Sequence, residues 1–417
     1  MFIISRRLCQ KNIYQHLSVY SVTRHFKKRC YPVWPQKKFL IQDKIRKLQY
    51  LTLQKCDFRT THSLRSSGIC IFLGFILRIS AFLIGRFVRI WWARKSEKEK
   101  EEHKDWFRER RNVILGCFGL YGLLLLIYYI THLEIEPLTK RSRFNIFDKE
   151  YEKYLGKIIF EDQIEMYKNY LLSETHPNYK RIQKVIKKLV TANSDIRSIR
   201  ETNWTLSVIN KSSPDVSYAY VIPGGHIFVA LNALKIVEND DQLAFLLAHE
   251  IAHSLLLHSL EAISQKVLWD FLTVIPIFFI WSLLPDIKAT VVHFLAEQIV
   301  NIIYKLPHRR ILEREADDVG IKLTAKACFD IREAVVFWAT LRTLTEMRIL
   351  PRDLPWISSH PDHGDREKTL NTAMVKALEL RNRSGCSVLP EIDPRDRFYK
   401  RSTTENKIYF RERGIIS

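Results

Sequence analysis

The fifteen residues from Phe245 to Ser259, FLLAHEIAHSLLLHS, constrain this chain more than any other stretch. Residues four apart on a helix share a face, so His249 and His253 point the same way and can hold one metal ion between them. Glu250 stands beside them, placed to take a proton from an attacking water. Apolar residues flank this H-E-x-x-H on both sides, Phe245 to Ala248 before it and Leu255 to Leu257 after it, which reads as a buried helix. Two imidazoles and a carboxylate in such surroundings need a compensating partner, and a zinc ion is one. Coincidence is the alternative, and a matching third ligand argues against it.

The extended pattern H-E-x-x-H-x-x-G-x-x-H requires Gly at 256 and His at 259, where this chain has Leu256 and Ser259. His258, five past His253, reads as a structural or surface histidine. Glu261 lies two turns on along the same helix, about 12 Å away by helical rise, and cannot fold back onto the ion. The third ligand therefore comes from elsewhere. RILEREADDVGIKL, Arg310 to Leu323, offers Glu313 and Asp317 at i, i+4 on one face, with Glu315 pointing away. Glu313 would complete a three-ligand site with one open position, and Asp317 would hydrogen-bond a ligand histidine's second nitrogen. Taken alone, this segment is an ordinary charged helix face.

The combination of HEIAH, EREAD (E-x-x-x-D) and SHPDHGDR resembles the zinc endopeptidase family that includes the CAAX prenyl proteases and the bacterial heat-shock membrane protease. LEREADDVGIKLTAKAC and HPDHG are most similar to its mitochondrial inner-membrane branch, whose activity overlaps that of the m-AAA protease. The resemblance covers about Arg143 to Val388. It implies a membrane-anchored gluzincin domain, mainly α with a small β-hairpin or sheet that borders the cleft, and one Zn2+ per chain. By the same correspondence His360 would stabilise the oxyanion, helped by Arg366; His363 is a competing assignment, and by sequence alone His360 is a loop histidine. The resemblance further implies cleavage of inner-membrane-anchored proteins, the dynamin-like fusion GTPase among them, in protein quality control and stress response. It also implies self-cleavage, activity that rises as membrane potential falls, and stress sensing by the segment before the membrane span.

Charge is distributed unevenly. Of the net +21, residues 1–70 carry +13 and residues 71–112 carry +5. A nucleic-acid protein concentrates its charge on the folded domain, so nucleic acid is excluded as a partner. Residues 1–69, rich in Arg and Lys and nearly free of acids, read as a mitochondrial presequence, with a disordered basic tail as the alternative. Residues 70–93 are apolar except for Arg78, Arg86 and Arg89, which fall within about 80° of each other on a helical wheel. That stripe, with Trp91 and Trp92 following, predicts a helix lying on the matrix leaflet and drawn to anionic lipid such as cardiolipin; a second span is the rival. Residues up to 112 are a mixed-charge, matrix-side segment.

Residues 113–133, VILGCFGLYGLLLLIYYITHL, carry no formal charge and are the best transmembrane candidate. Arg108, Arg110 and Arg111 precede them, which places that flank in the matrix and the catalytic domain in the intermembrane space; Lys140, Arg141 and Arg143 weaken the asymmetry. Residues 144–392 read as the protease domain and 393–417 as a charged, frayed tail. Within the domain, Thr205–Asn210 alternates like a strand, and Ser217–Leu234 reads as a β-hairpin turning near Gly224-Gly225, with an edge on which a peptide can add as a strand. His226 in it reads as structural. Val267–Leu284, interrupted by Asp270 and Pro276, and Val291–Ile303 are apolar helices: a membrane-dipping hairpin or a plain buried pair. Cys328 and Cys386 are either a disulfide or two free thiols.

The expected reaction is zinc-assisted peptide hydrolysis on membrane-anchored substrates, by a single-pass protein whose homo-oligomerisation stays open. The rivals are a catalytically silent membrane scaffold and an endomembrane prenyl-protein protease. The latter calls for many spans, where one is clear.

Overall fold

The computed structural model describes residues 62–210, 218–348, 363–401 and 403–413. Three helices open it: α1 (His62–Ala93), α2 (Glu97–Glu109) and α3 (Arg111–Thr131). A capping box between Ser96 and Glu99 starts α2, and pairs three residues apart (Lys100–Glu97, Lys104–Glu101, Arg108–Asp105) lace its solvated surface. α3 is 21 residues long, and none of its apolar window is buried inside the protein. At 1.5 Å per residue it extends about 31 Å, the thickness of a bilayer's hydrocarbon core.

A short antiparallel hairpin, β1 (Leu133–Ile135) and β2 (Ser142–Phe144), follows α3 directly. Asp148 caps α4 (Lys149–Tyr167), and the His176-Pro177 break starts α5 (Pro177–Ala192), which α6 (Arg197–Glu201) follows. A three-stranded sheet comes next, from β3 (Thr205–Ile209), β4 (Ala219–Ile222) and β5 (His226–Ala230), in the order β3-β5-β4. The β4–β5 hairpin turns on Gly224 and Gly225, whose φ values of +92° and +89° suit glycine alone. β4 is therefore an edge strand, and it packs beside the helix that carries H-E-x-x-H.

The chain continues through α7 (Ala233–Ile236), α8 (Asp240–Leu255), α9 (His258–Leu272), α10 (Val274–Leu283), α11 (Asp286–Val300), a π-turn (Asn301–Lys305) and α12 (Leu306–Lys326). It ends with α13 (Glu333–Glu346), α14 (His363–Arg383), α15 (Pro394–Tyr399) and α16 (Thr403–Glu412). Asn239 caps α8, and every residue from Gln242 to Ala252 is buried. α8 runs through the main core against α12, α13, α5 and β4. It crosses α12 at Gly320, where a Cβ would lie 3.1 Å from the backbone of His249. A side chain at 320 would push the two motif-bearing helices apart.

Three expectations change. First, the arginines of α1 meet protein carboxylates rather than an open lipid surface: Arg78 pairs with Asp270 and Glu297, and Arg86 and Arg89 both pair with Asp286. α1 lies along α10, with Gly85 against the Phe278 carbonyl. Pairing across some 200 residues of sequence lowers the cost of arginines on an apolar helix, and helical periodicity does not reveal it. Second, His258–Leu283, spanning α9 and α10, is long and apolar enough to cross a membrane despite Asp270 and Pro276. The Tyr121 hydroxyl of α3 donates to the Phe271 carbonyl near the end of α9 (2.8 Å). Third, the C-terminal segment is folded up to Arg413. Phe398 and Phe410 are buried, and Arg413 donates to the Val237 carbonyl, so two aromatic anchors dock what its charge suggested was a frayed tail.

Cys328 and Cys386 form a disulfide with Cα atoms 5.2 Å apart, tying the end of α12 to the segment after α14.

Candidate active site

His249 and His253 lie one turn apart on α8, and Glu313 reaches them from α12. The two Nε2 atoms are 3.0 Å apart, and the Glu313 carboxylate lies 3.4 Å from one and 3.6 Å from the other. Donors bonded to one tetrahedral zinc at 2.0–2.1 Å stand about 3.3 Å from each other, so the gap between these three groups is of the size that ion needs. Two imidazoles and one carboxylate are also a donor set that suits zinc. Among the described residues, this is the one group of three or more such side chains close enough to share a metal.

Electrostatics agree with a cation site. Burial and the Arg366 guanidinium disfavour charge on His249, yet hydrogen bonds to Asp317 and Glu313 outweigh them and raise its pKa to about 9. In the metal-free protein the carboxylates thus hold a proton where an ion would sit. Burial pushes His253 the other way.

Asp317 is fully buried, and its Oδ1 lies 3.1 Å from His249 Nδ1, the nitrogen turned away from Glu313. It therefore receives the ring's outer N–H and fixes the tautomer that leaves Nε2 free. Arg366, on α14, is 2% exposed. It donates to both Asp317 oxygens (2.6 and 2.7 Å), pairs with Glu313 at 3.0 Å, and stacks 3.5 Å from the Trp338 ring. Its guanidinium is sandwiched between the Trp338 ring and the carboxylates of Asp317 and Glu313. His360 lies outside the described residues, as does the rest of the segment 349–362. Glu250 is 3% exposed on α8, next to the first ligand.

One correction concerns the helix itself. α8 stops at Leu255, and Leu257 adopts a left-handed φ of 54°, so His258 and Glu261 belong to α9 and turn back over the site. His258 is buried, with its Nδ1 2.8 Å from His253 Nδ1 and its Nε2 3.3 Å from Glu315. Burial lowers the His258 pKa to about 3 and so keeps the ring neutral. Glu315, expected to point away, is drawn inward. Burial raises its pKa, but His258, Thr139 and Arg141 outweigh that and bring it to about 2. Arg141 also clasps Glu261 through two bonds of 2.6 and 2.7 Å. Sequence reading missed this cluster because nothing at Leu255-Leu256-Leu257 signals a break: there is no Gly, Pro or capping residue.

His226 stacks on Phe160 at 4.2 Å and its Nδ1 meets the Thr205 hydroxyl at 2.7 Å, a structural role beside the β4–β5 turn.

Residues 176–374, which contain both motif helices and the start of α14, match peptidase family M48. The matched stretch is nearly half of the chain. Curated relatives carry the name metalloendopeptidase OMA1, mitochondrial. The Bos taurus protein is 35% identical over 319 residues, 76% of this chain and 60% of its own length. The Homo sapiens protein is 34% identical over 321 residues, 77% of this chain and 61% of its own length. The Danio rerio protein is 34% identical over 321 residues, 76% of this chain and 66% of its own length. The chain thus spans about three fifths to two thirds of these relatives. The His249–His253–Glu313 group, inside the matched stretch, could hold the metal that a metalloendopeptidase uses.

Proposed function

We propose that this protein is a zinc-dependent endopeptidase of the mitochondrial inner membrane that cuts membrane-anchored proteins near the bilayer. One observation carries the reading: three ligand atoms from α8 and α12 converge, with Glu250 on the next residue of the same helix. The relatives' names support the peptidase activity and the mitochondrial location. A bound zinc would supply Lewis-acid polarisation of the scissile carbonyl and would acidify water toward a pKa of about 7. Glu250 takes the proton of the attacking water and delivers it to the leaving amine. Arg366 and Asp317 keep Glu313 and His249 in place throughout. The outer edge of β4, beside α8, is where an extended substrate adds as a strand.

The membrane part of the reading rests on α3. Arg108 and Arg110 lie just before it and Arg111 is its first residue, all three exposed, with Arg108 paired to Asp105 and Arg110 to Glu109; beyond it Arg141 and Arg143 are held by Glu261, Glu315, Glu134 and the Leu256 carbonyl, and Lys140 is exposed. The cluster of arginines at the N-terminal end supports that flank in the matrix and the protease domain in the intermembrane space. The test uses the full chain in lipid nanodiscs with a membrane-tethered peptide substrate. Cleavage that stops with a chelator, returns with zinc and is absent in Glu250→Gln is the expected result; chelator-resistant cleavage contradicts it.

A further inference from the structure

We propose that His258, Glu315 and Arg141 are positioning residues that hold the ligand His253 from behind and tie it to the stem leaving the membrane. The inference rests on the metal-site reading above and extends it to residues outside the two sequence motifs.

His253 turns Nε2 toward Glu313 and His249, and turns Nδ1 toward His258. A ligand histidine binds through an unprotonated nitrogen, so with Nε2 committed to the ion the proton sits on Nδ1. The Nδ1–H then donates to His258 Nδ1 at 2.8 Å, which must accept. That assignment leaves the His258 proton on Nε2, aimed at a Glu315 oxygen 3.3 Å away. The Glu315 carboxylate is full on its other sides: Arg141 Nε donates at 2.8 Å, and the Thr139 hydroxyl donates to the second oxygen. One arrangement of protons satisfies every member, and that arrangement leaves the metal-facing nitrogen of His253 unprotonated. A closed chain of this kind fixes ring orientation as well as tautomer.

The far end of the chain is built into the stem. Thr139 and Arg141 lie in the turn between β1 and β2, and β1 starts two residues after α3 ends. Glu136, 3% exposed, braces that turn by accepting the backbone N–H groups of Leu138 and Thr139 at 2.7 and 2.6 Å. Arg141 is clasped a second time by Glu261, which is 1% exposed. The segment that follows α3 and the second metal ligand are thus joined through a continuous series of side-chain contacts. An ordinary core cluster would have no reason to end on the outer nitrogen of a ligand.

The test is zinc affinity of the purified full chain, measured by competition with a chromophoric chelator, together with the visible spectrum of the cobalt-substituted protein and the melting temperature of the metal-free form. His258→Leu removes the acceptor and is expected to weaken zinc binding about 10- to 100-fold and to change the cobalt spectrum. His258→Asn places an amide oxygen near the Nδ1 position and is expected to recover most of the affinity. Glu315→Gln and Arg141→Leu are expected to lose affinity in the same direction, with Arg141→Leu the smaller loss. A merely structural role would lower melting temperature in all four alike, with the cobalt spectrum unchanged. The proposal is overturned if His258→Leu, or Glu315→Gln should the leucine variant not fold, binds zinc as tightly as the parent with the parent's cobalt spectrum. Failure of the parent itself to bind zinc would overturn the metal site, and this proposal with it. A parent that binds zinc beside indifferent variants overturns this proposal alone.

Discussion

The two imidazoles that face Glu313 are supported in opposite ways. Behind His249 the support is direct and closed: one buried carboxylate, Asp317, held by one buried guanidinium, Arg366, under the Trp338 ring. Behind His253 it is relayed, through a second imidazole and then Glu315 to an arginine that belongs to the β1–β2 hairpin. The first half is made of α8, α12, α13 and α14, the helices that contribute to the main core. The second half recruits residues from either side of that core. The difference teaches that the site has a rigid side, set by the fold of the domain, and a side whose geometry depends on how the stem is seated.

The largest expected effects fall on both halves equally and set the baseline for the comparison. Glu313→Ala removes a ligand shared by both imidazoles, so metal content and hydrolysis are both expected to be lost. Glu250→Gln is expected to keep one zinc per chain while hydrolysis falls by at least about a hundredfold, the scale of a general base. Metal analysis beside a peptide assay separates the two. Normal turnover in the Glu250→Gln variant would remove Glu250 from its role.

Next in size is the rigid side. Arg366→Leu leaves Asp317 and Glu313 as buried carboxylates without their guanidinium, a change that costs about 3–5 kcal/mol in comparable buried pairs. Denaturant unfolding of the metal-free protein should show that loss, and zinc, which restores a positive charge between the carboxylates, should recover part of it. Asp317→Asn is a smaller change. It is expected to weaken zinc about 10- to 100-fold with little loss of fold, and a zinc affinity equal to the parent's would erase the distinction between the two halves.

The smallest effect is on pH dependence, and it too belongs to the rigid side. His249 has its folded pKa raised to about 9 from an ordinary 6.5 in the metal-free protein. A raised pKa contributes stability that is complete below about 6.5 and disappears as pH climbs through about 9. The metal-free melting temperature is therefore expected to fall across that window. The zinc-loaded protein, in which that proton has been displaced, should not show the fall, and zinc uptake within the window should release a proton. A metal-free melting temperature that stays flat across the same window would contradict the assignment to His249.

What could be read from sequence follows the same division. His249, His253, Glu313 and Asp317 were legible because each pair repeats every four residues within one helix, and periodicity of that kind is local. The β4–β5 hairpin was legible from alternation around Gly224-Gly225, and α3 from its uncharged length. The relay behind His253 was not. It requires the reversal at Leu257, which no turn residue announces, and contacts that span 57 residues from His258 to Glu315 and 174 from Arg141 to Glu315. The pairing of Arg78 with Asp270, 192 residues apart, was hidden for the same reason, and a stripe of arginines on an apolar helix read instead as a lipid-facing surface. The surroundings of Arg366 were hidden too, because a loop arginine and a buried clamp look alike until the Trp338 ring and the two carboxylates are seen around it.

The central claim is that one ion joins α8 to α12. The most direct measurement is anomalous scattering at the zinc edge from crystals of the full chain grown with stoichiometric zinc. A single peak about 2.0–2.2 Å from His249 Nε2, His253 Nε2 and a Glu313 oxygen is the predicted result. A peak bound to either histidine through Nδ1, or no peak while the three side chains stay as they are here, would contradict it.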